Sequence, residues 1–268
     1  MEVHAEIEFL VPGTERPFTY AHEAPLGGEP ETVHFAARPV GIRDVRGGEP
    51  LRFEENGGTL GHWPTEVRRF DDDAEVRARY YPESAQIIAA ALGADRVVVF
   101  DHNVRRGGPA GLPDHGHGQA VGRPVHHAHT DYTPGSALQR LRLELGAHAE
   151  AGLSRFLQVN LWRPIRGPVR DAPLALCDGA SVAPRALRAV ELRYPERSGE
   201  IYYLMHEPAQ RWYFASDMSV DEAWLFKNFD SVPAGGARVA PHSAFTDPRH
   251  ARVAPRESIE VRALAIFR

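Results

Sequence analysis

From residue 125 to the C-terminus, strand-length runs follow one another with proline and glycine between them, and this limits the fold more than any other feature. Residues 155–163 alternate and stop at Pro164; residues 174–176, 200–205, 211–215 and 258–267 repeat the pattern. Roughly six or seven short strands at such spacing predict a β-barrel or sandwich core. The 24 glycines and 22 prolines agree with strands and turns rather than long helices. At 268 residues, one decorated β domain accounts for the whole chain.

The N-terminal third is less regular. Residues 7–10 alternate as a short strand stopped by Pro12-Gly13, and residues 14–32 read as loop. Val33-His34-Phe35 and Val40-Gly41-Ile42 are two strand-like pieces broken by Pro39, so an irregular β-rich arm is expected over residues 1–70. Asp71-Asp72-Asp73 offers N-caps for a helix in two pieces around Pro82, ending at Gly93. A buried strand is expected at 97–100. Residues 105–123, rich in Gly, Pro and His, read as a mobile loop placed to close over a site. A helix from Ser136 to about Gly146 follows. Glu207-Pro208-Ala209-Gln210 reads as the turn of a hairpin, and Asp221 as the start of a short helix through Phe226.

Composition removes several function classes. The net charge is −5 with no basic block, which argues against nucleic acid and anionic membrane as partners. A single cysteine, Cys177, excludes an intrachain disulfide and a Cys-rich zinc site. Asp178 beside it would raise the thiol pKa, which argues against a nucleophile. No G-x-S-x-G elbow is present. The longest helix-like apolar run, residues 87–92, is far short of a membrane span. The first residues carry no apolar core of signal-peptide length, and the expected location is cytoplasmic.

The chemistry gathers at Pro124-Val125-His126-His127-Ala128-His129-Thr130-Asp131. His129 and Asp131 stand two apart, which on a strand sends both side chains to one face. An imidazole and a carboxylate side by side are two parts of the facial triad that binds non-haem Fe(II) and leaves positions open for a chelating cosubstrate and O2. The third ligand should be a late histidine on a returning strand, and His242 fits; His206 and His250 are its rivals. Arg256, downstream of His242, is placed to hold the far carboxylate of 2-oxoglutarate by a bidentate ion pair, with Ser258 on the same face and Arg252 and Arg262 as alternatives. Alternation puts Phe156, Gln158, Asn160 and Trp162 on one strand face, suited to the wall of a polar pocket. His127-Ala128-His129 also has the H-x-H spacing of a cupin metal site.

Taken in order, His129-Thr130-Asp131-Tyr132-Thr133, Gln158-Val159-Asn160-Leu161-Trp162-Arg163-Pro164, Pro173-Leu174-Ala175-Leu176-Cys177-Asp178, Arg211-Trp212-Tyr213-Phe214, Leu225-Phe226-Lys227-Asn228-Phe229-Asp230-Ser231, His242-Ser243-Ala244-Phe245 and Arg256-Glu257-Ser258-Ile259-Glu260 resemble the CmcJ/AsaB/NvfI-like hydroxylase/desaturase family, itself similar to the Fe(II)/2-oxoglutarate-dependent oxygenases of secondary metabolism. The resemblance is good over residues 95–268 and weak in the N-terminal arm. It implies a mainly β protein with flanking helices around a double-stranded β-helix, or jelly-roll, core. It implies Fe(II) on His129, Asp131 and His242, and 2-oxoglutarate on Arg256. It also implies hydroxylation or desaturation of a small-molecule natural product with O2. Ser258, Asn160 and Trp162 are expected against the cosubstrate. The expected organisation is a single oxygenase domain, with an N-terminal arm and helix over 1–95 and the jelly-roll over 96–268. A homodimer is the common default. Two other classes compete: a cupin-like metal enzyme that does not use 2-oxoglutarate, and a non-catalytic jelly-roll partner of a tailoring enzyme. The doubled His126-His127 has no match in the family pattern.

Overall fold

The computed structural model describes residues 1–13, 16–21, 28–107, 122–232, 236–251 and 253–268. In chain order the strands are β1 (Glu2–Leu10), β2 (Phe18–Tyr20), β3 (Phe35–Asp44), β4 (Gly58–His62), β5 (Arg96–Arg106), β6 (His129–Thr130), β7 (Arg155–Pro164), β8 (Leu174–Cys177), β9 (Leu187–Arg193), β10 (Ser198–Leu204), β11 (Trp212–Phe214), β12 (Glu222–Asp230), β13 (His242–Ala244) and β14 (Glu257–Phe267). The α-helices are α1 (Phe53–Asn56), α2 (Asp73–Glu75), α3 (Tyr81–Leu92) and α4 (Pro134–Leu145), with one π-helical turn joining α2 to α3.

Two sheets face each other. The larger has nine strands in the order β1-β3-β11-β8-β13-β6-β10-β9-β2, and the smaller has five in the order β4-β12-β7-β14-β5. Their inner faces meet where Trp162, Trp224 and Phe226 of the smaller sheet pack on Leu174 and Leu176 of the larger. This is the jelly-roll arrangement. The outer face of the smaller sheet is covered by the helices: Leu157, Val159, Leu161, Ile259 and Val261 pack with Tyr80 and Ile88. Strict alternation along β7 therefore divides apolar residues, which meet the helices, from Gln158, Asn160 and Trp162, which face the interior.

Local chemistry explains the helix ends. Gly93, at φ 65, closes α3 in the left-handed conformation that glycine adopts without strain. Thr133 caps α4: its hydroxyl accepts from Ser136 N–H, Ser136 answers at the Thr133 backbone, and Pro134 occupies the first turn. The cap fixes the point at which the chain leaves Asp131 and enters a helix packed through Ala137 and Leu141 on Phe156, Phe229 and Leu264.

Four expectations need correction. Residues 222–230 form strand β12 rather than a helix from Asp221, because they run buried between β4 and β7 and a short buried apolar run looks alike in both periods. Residues 198–204 and 212–214 are both strands but do not pair as a hairpin; β8, β13 and β6 lie between them. Residues 35–44 are one strand rather than two: Pro39 pairs with Glu6 of β1 and lies before the stretch, from Ile42, where β11 joins the other side. The expected irregular arm is instead a long antiparallel β1–β3 pair. The other edge of β1 meets the segment before β6, with Glu8 N–H donating to His126 O at 3.2 Å and Ala128 N–H to Glu8 O at 2.8 Å. Strands from residues 1–95 thus enter both sheets. Most of the 105–123 loop lies outside the described residues. Among the described residues no helix is long and apolar enough to cross a membrane.

Candidate metal centre

β6 is only two residues long, and Asp131 sits on the bend beyond it rather than on a continuing strand. Its carboxylate nevertheless turns back to His129, with Oδ1 3.7 Å from His129 Nε2. β13 pairs with β6 in the register His242↔His129. The two imidazole rings lie 4.3 Å apart between centroids. One ligand atom from each of His129, Asp131 and His242 falls within 4.8 Å of the others, and this is the one such cluster among the described residues.

Each side chain is aimed by a second contact. His129 Nδ1 donates to His127 O at 2.7 Å, and His242 Nδ1 is turned to Ala240 O at 3.4 Å, which leaves each Nε2 as the free lone pair. Asp131 N–H donates to Asn228 Oδ1 at 2.9 Å. Asp131 Oδ2 accepts from Asn160 Nδ2 and from Arg262 Nε, both at 2.9 Å, so Oδ1 is the oxygen left for a ligand bond. Arg262 is itself tied to Asp101 at 3.1 Å. Asn228 reaches Asp131 because a β-bulge lies between Lys227 and Phe229 in the β12–β7 pairing, which re-aims the side chain.

Electrostatics fix the protonation states. Burial, with His242 adding to it, pushes His129 down to about 3, and burial also lowers His242. Burial alone would raise Asp131, but the Arg262 guanidinium and the neighbouring polar groups hold it below the usual carboxylate range. At neutral pH the centre is two neutral imidazoles and one carboxylate. That donor set fits a divalent iron. The His129 shift also sets a stability trend. Its folded pKa is about 3 against 6.5 for an imidazole in the unfolded chain, which therefore binds the extra proton between those values. Metal-free protein should lose stability as pH falls from 6.5 towards 3. Thermal melting of the apoprotein against pH checks this, and a flat profile would contradict it.

Against the two histidines lies a small cavity of about 20 Å³ lined also by Arg105, Trp162, Leu174, Ser243, Arg256 and Glu260. Arg256 is 3% exposed; its Nη1 donates to Ala172 O at 2.5 Å, its carbon lies 5.5 Å from the Trp162 ring, and its Nε has no partner among the described residues. Burial and the nearby Arg105 push it down to about 9. A buried guanidinium with a spare donor is built to meet an anion. Ser258 is buried with an unpartnered hydroxyl but does not line this cavity, and Asn160 is engaged with Asp131.

The rivals are elsewhere. His206 packs edge-on against Phe9 at 5.0 Å, and His250 lies 4.0 Å from Asp247. His127 Nε2 meets Glu8 Oε2 at 2.8 Å, so the H-x-H pair does not converge. Arg252 lies outside the described residues. The sequence assigns no role to Arg105 or Asn228; alternation along β14 puts Glu260 on one polar face with Arg256, Ser258 and Arg262 without assigning it a role, and Arg262 stands there only as an alternative to Arg256. Cys177 is buried and pushed up to about 12, mainly by burial, which makes it inert.

A family model described as an oxidoreductase/YMDC permease-like domain matches residues 7–266. The hydroxylase/desaturase efuI of Hormonema carpetanum is 31% identical over 285 residues, covering 96% of this chain and 96% of its own. The Fe(II)/2-oxoglutarate-dependent dioxygenase nvfI of Aspergillus novofumigatus is 36% identical over 200 residues, covering 73% of this chain and 69% of its own. The chain belongs to this hydroxylase/desaturase family of Fe(II)/2-oxoglutarate-dependent dioxygenases. The solved structure of the iron and alpha-ketoglutarate-dependent endoperoxidase NvfI superposes on the dioxygenase with a TM-score of 0.88 at 28% identity, covering 99% of this chain and 98% of that one. Membership decides between the classes that the sequence left open. The protein is a dioxygenase, not a cupin-like enzyme independent of 2-oxoglutarate and not a non-catalytic partner.

Proposed function

We propose that His129, Asp131 and His242 hold Fe(II), and that Arg256 holds the far carboxylate of 2-oxoglutarate, in a single-domain enzyme that hydroxylates or desaturates a small-molecule natural product with O2. The observation that carries the reading is the convergence of those three side chains within 4.8 Å in the oriented, neutral-imidazole state. When bound, iron and 2-oxoglutarate supply the oxidising chemistry: 2-oxoglutarate and O2 give succinate and CO2, and the substrate gains a hydroxyl or loses two hydrogens with release of water.

The protein's own residues position and insulate. Asn160 and Arg262 restrict Asp131 to one free oxygen and keep it ionised. Phe226, with its ring centroid 4.7 Å from that of His242, and the buried Trp162 keep water from the imidazoles. Arg105 and Arg256 bring two positive charges to the cavity that Glu260 shares, and their charge draws a carboxylate towards it. Trp162 forms one wall of that cavity and Ser258 is a nearby spare hydroxyl. A net charge of −5 supports an enzyme without nucleic-acid or anionic-membrane partners, and a homodimer is the default assembly. The test is anaerobic reconstitution with Fe(II) and 2-oxoglutarate, followed by O2. Succinate should appear slowly even without substrate. A metal-loaded protein that releases no succinate would sink the reading.

A further inference from the structure

The doublet His126-His127 is not used by the chemistry above, yet His127 joins the metal centre to the N-terminal strands through three contacts. Its carbonyl accepts the Nδ1–H of His129 at 2.7 Å, the bond that aims His129 Nε2. Its own Nε2 meets Glu8 Oε2 of β1 at 2.8 Å. Its ring lies flat on Phe35, the first residue of β3, at 3.7 Å between centroids and 3° between planes. Tyr203, the cross-strand partner of His129 on β10, presents its ring edgewise to this column, 4.9 Å from Phe35, 6.1 Å from His127 and 6.3 Å from His129. The backbone carries the same link, since Glu8 brackets His127 through its bonds to His126 O and Ala128 N.

We propose that Glu8, Phe35 and His127 form a clamp through which the N-terminal β1–β3 pair positions His129 for metal. Glu8, Phe35 and His127 are positioning residues, and none of them is a ligand. Losing a contact that orients a ligating imidazole typically lowers metal affinity by about 10- to 100-fold. The Glu8–His127 pair is 43% and 37% exposed in its side chains, so it adds little to global stability. A clamp of this kind should therefore be visible at the metal and almost silent in folding. It also explains why β1 and β3 belong with the catalytic core: they supply a wall of the imidazole column.

The inference rests on His129 being a ligand, and the experiment separates the two. Co(II) is titrated anaerobically into the full-length protein, following its visible d–d bands, beside thermal melting. Glu8→Ala and His127→Ala should raise the Co(II) dissociation constant about tenfold and shift the bands. Melting should move by no more than about 2–4 °C. Glu8→Gln, whose amide oxygen accepts the same bond, should restore wild-type affinity. His129→Ala should abolish the bands. Affinities within twofold of wild type in Glu8→Ala and His127→Ala, with His129→Ala inactive in binding, would overturn the clamp and leave the ligand assignment standing. A fall in affinity that tracks a fall in melting temperature and is not rescued by Glu8→Gln would also overturn it. Wild-type protein that gives no Co(II) bands would overturn the ligand assignment and the clamp together.

Discussion

His242→Ala and Asp131→Asn should each abolish Fe(II) binding and succinate formation while the fold survives. The two substitutions act for different reasons. His242 is 3% exposed and donates one neutral lone pair, so alanine removes a ligand without stranding a charge. Its ring packs on His129 and Phe226, and a modest loss of stability from the cavity is expected. Asp131 supplies the only negative charge among the three donors. Alanine there would also remove one of the carboxylates that hold Arg262, leaving it Asp101 and Glu260. Asparagine keeps the shape and an oxygen for Arg262, and removes the charge that a divalent iron requires. Anaerobic Fe(II) titration with circular dichroism as the folding control measures both. An Asp131→Asn protein with wild-type iron affinity would contradict the ligand assignment.

Arg256→Ala should raise KM for 2-oxoglutarate by about 10- to 150-fold, the range expected when a charge-assisted hydrogen bond of about 1.5–3 kcal/mol is lost. Because the far carboxylate does not react, the contact is made equally before and during chemistry, and kcat at saturating cosubstrate should change little. Arg256→Lys should recover only part of the affinity, since a point charge cannot reproduce two parallel bonds. Steady-state succinate release against 2-oxoglutarate concentration reads both constants. An unchanged KM in Arg256→Ala, with a raised one in Arg105→Ala, would move the anchor to the other guanidinium at the cavity.

The legible parts of this protein are those whose signal is local. The alternation of β7 is periodic, so its pocket face could be assigned from the chain alone, whereas on β14 parity separates two sets of residues without saying which looks inward. The start of α4 follows from Pro134-Gly135-Ser136, while the Thr133 cap showed only in the structure. His129, Asp131 and His242 were assigned by donor type and by the need for a returning strand, and the structure places them together. What stayed hidden depends on long-range pairing. β12 was misread because a strand buried on both faces has no alternation to show. The pairing of β10 with β6 and β9, rather than with β11, is set by sheet order that no turn signal encodes. Asn228 reaches Asp131 only through a bulge, and Arg262 reaches it only because β14 lies beside Asn160 of β7. The role of His127 could not be read without knowing that β1 returns to it.

The central claim is that His129, Asp131 and His242 are the iron ligands, and the most direct test is an anaerobic crystal structure with Fe(II) and 2-oxoglutarate, read by anomalous diffraction at the iron edge. The account predicts one iron peak bonded to Nε2 of both histidines and to Oδ1 of Asp131, with the far carboxylate of 2-oxoglutarate on Arg256. An iron peak bonded to His127 in place of Asp131, or away from these residues altogether, would contradict it.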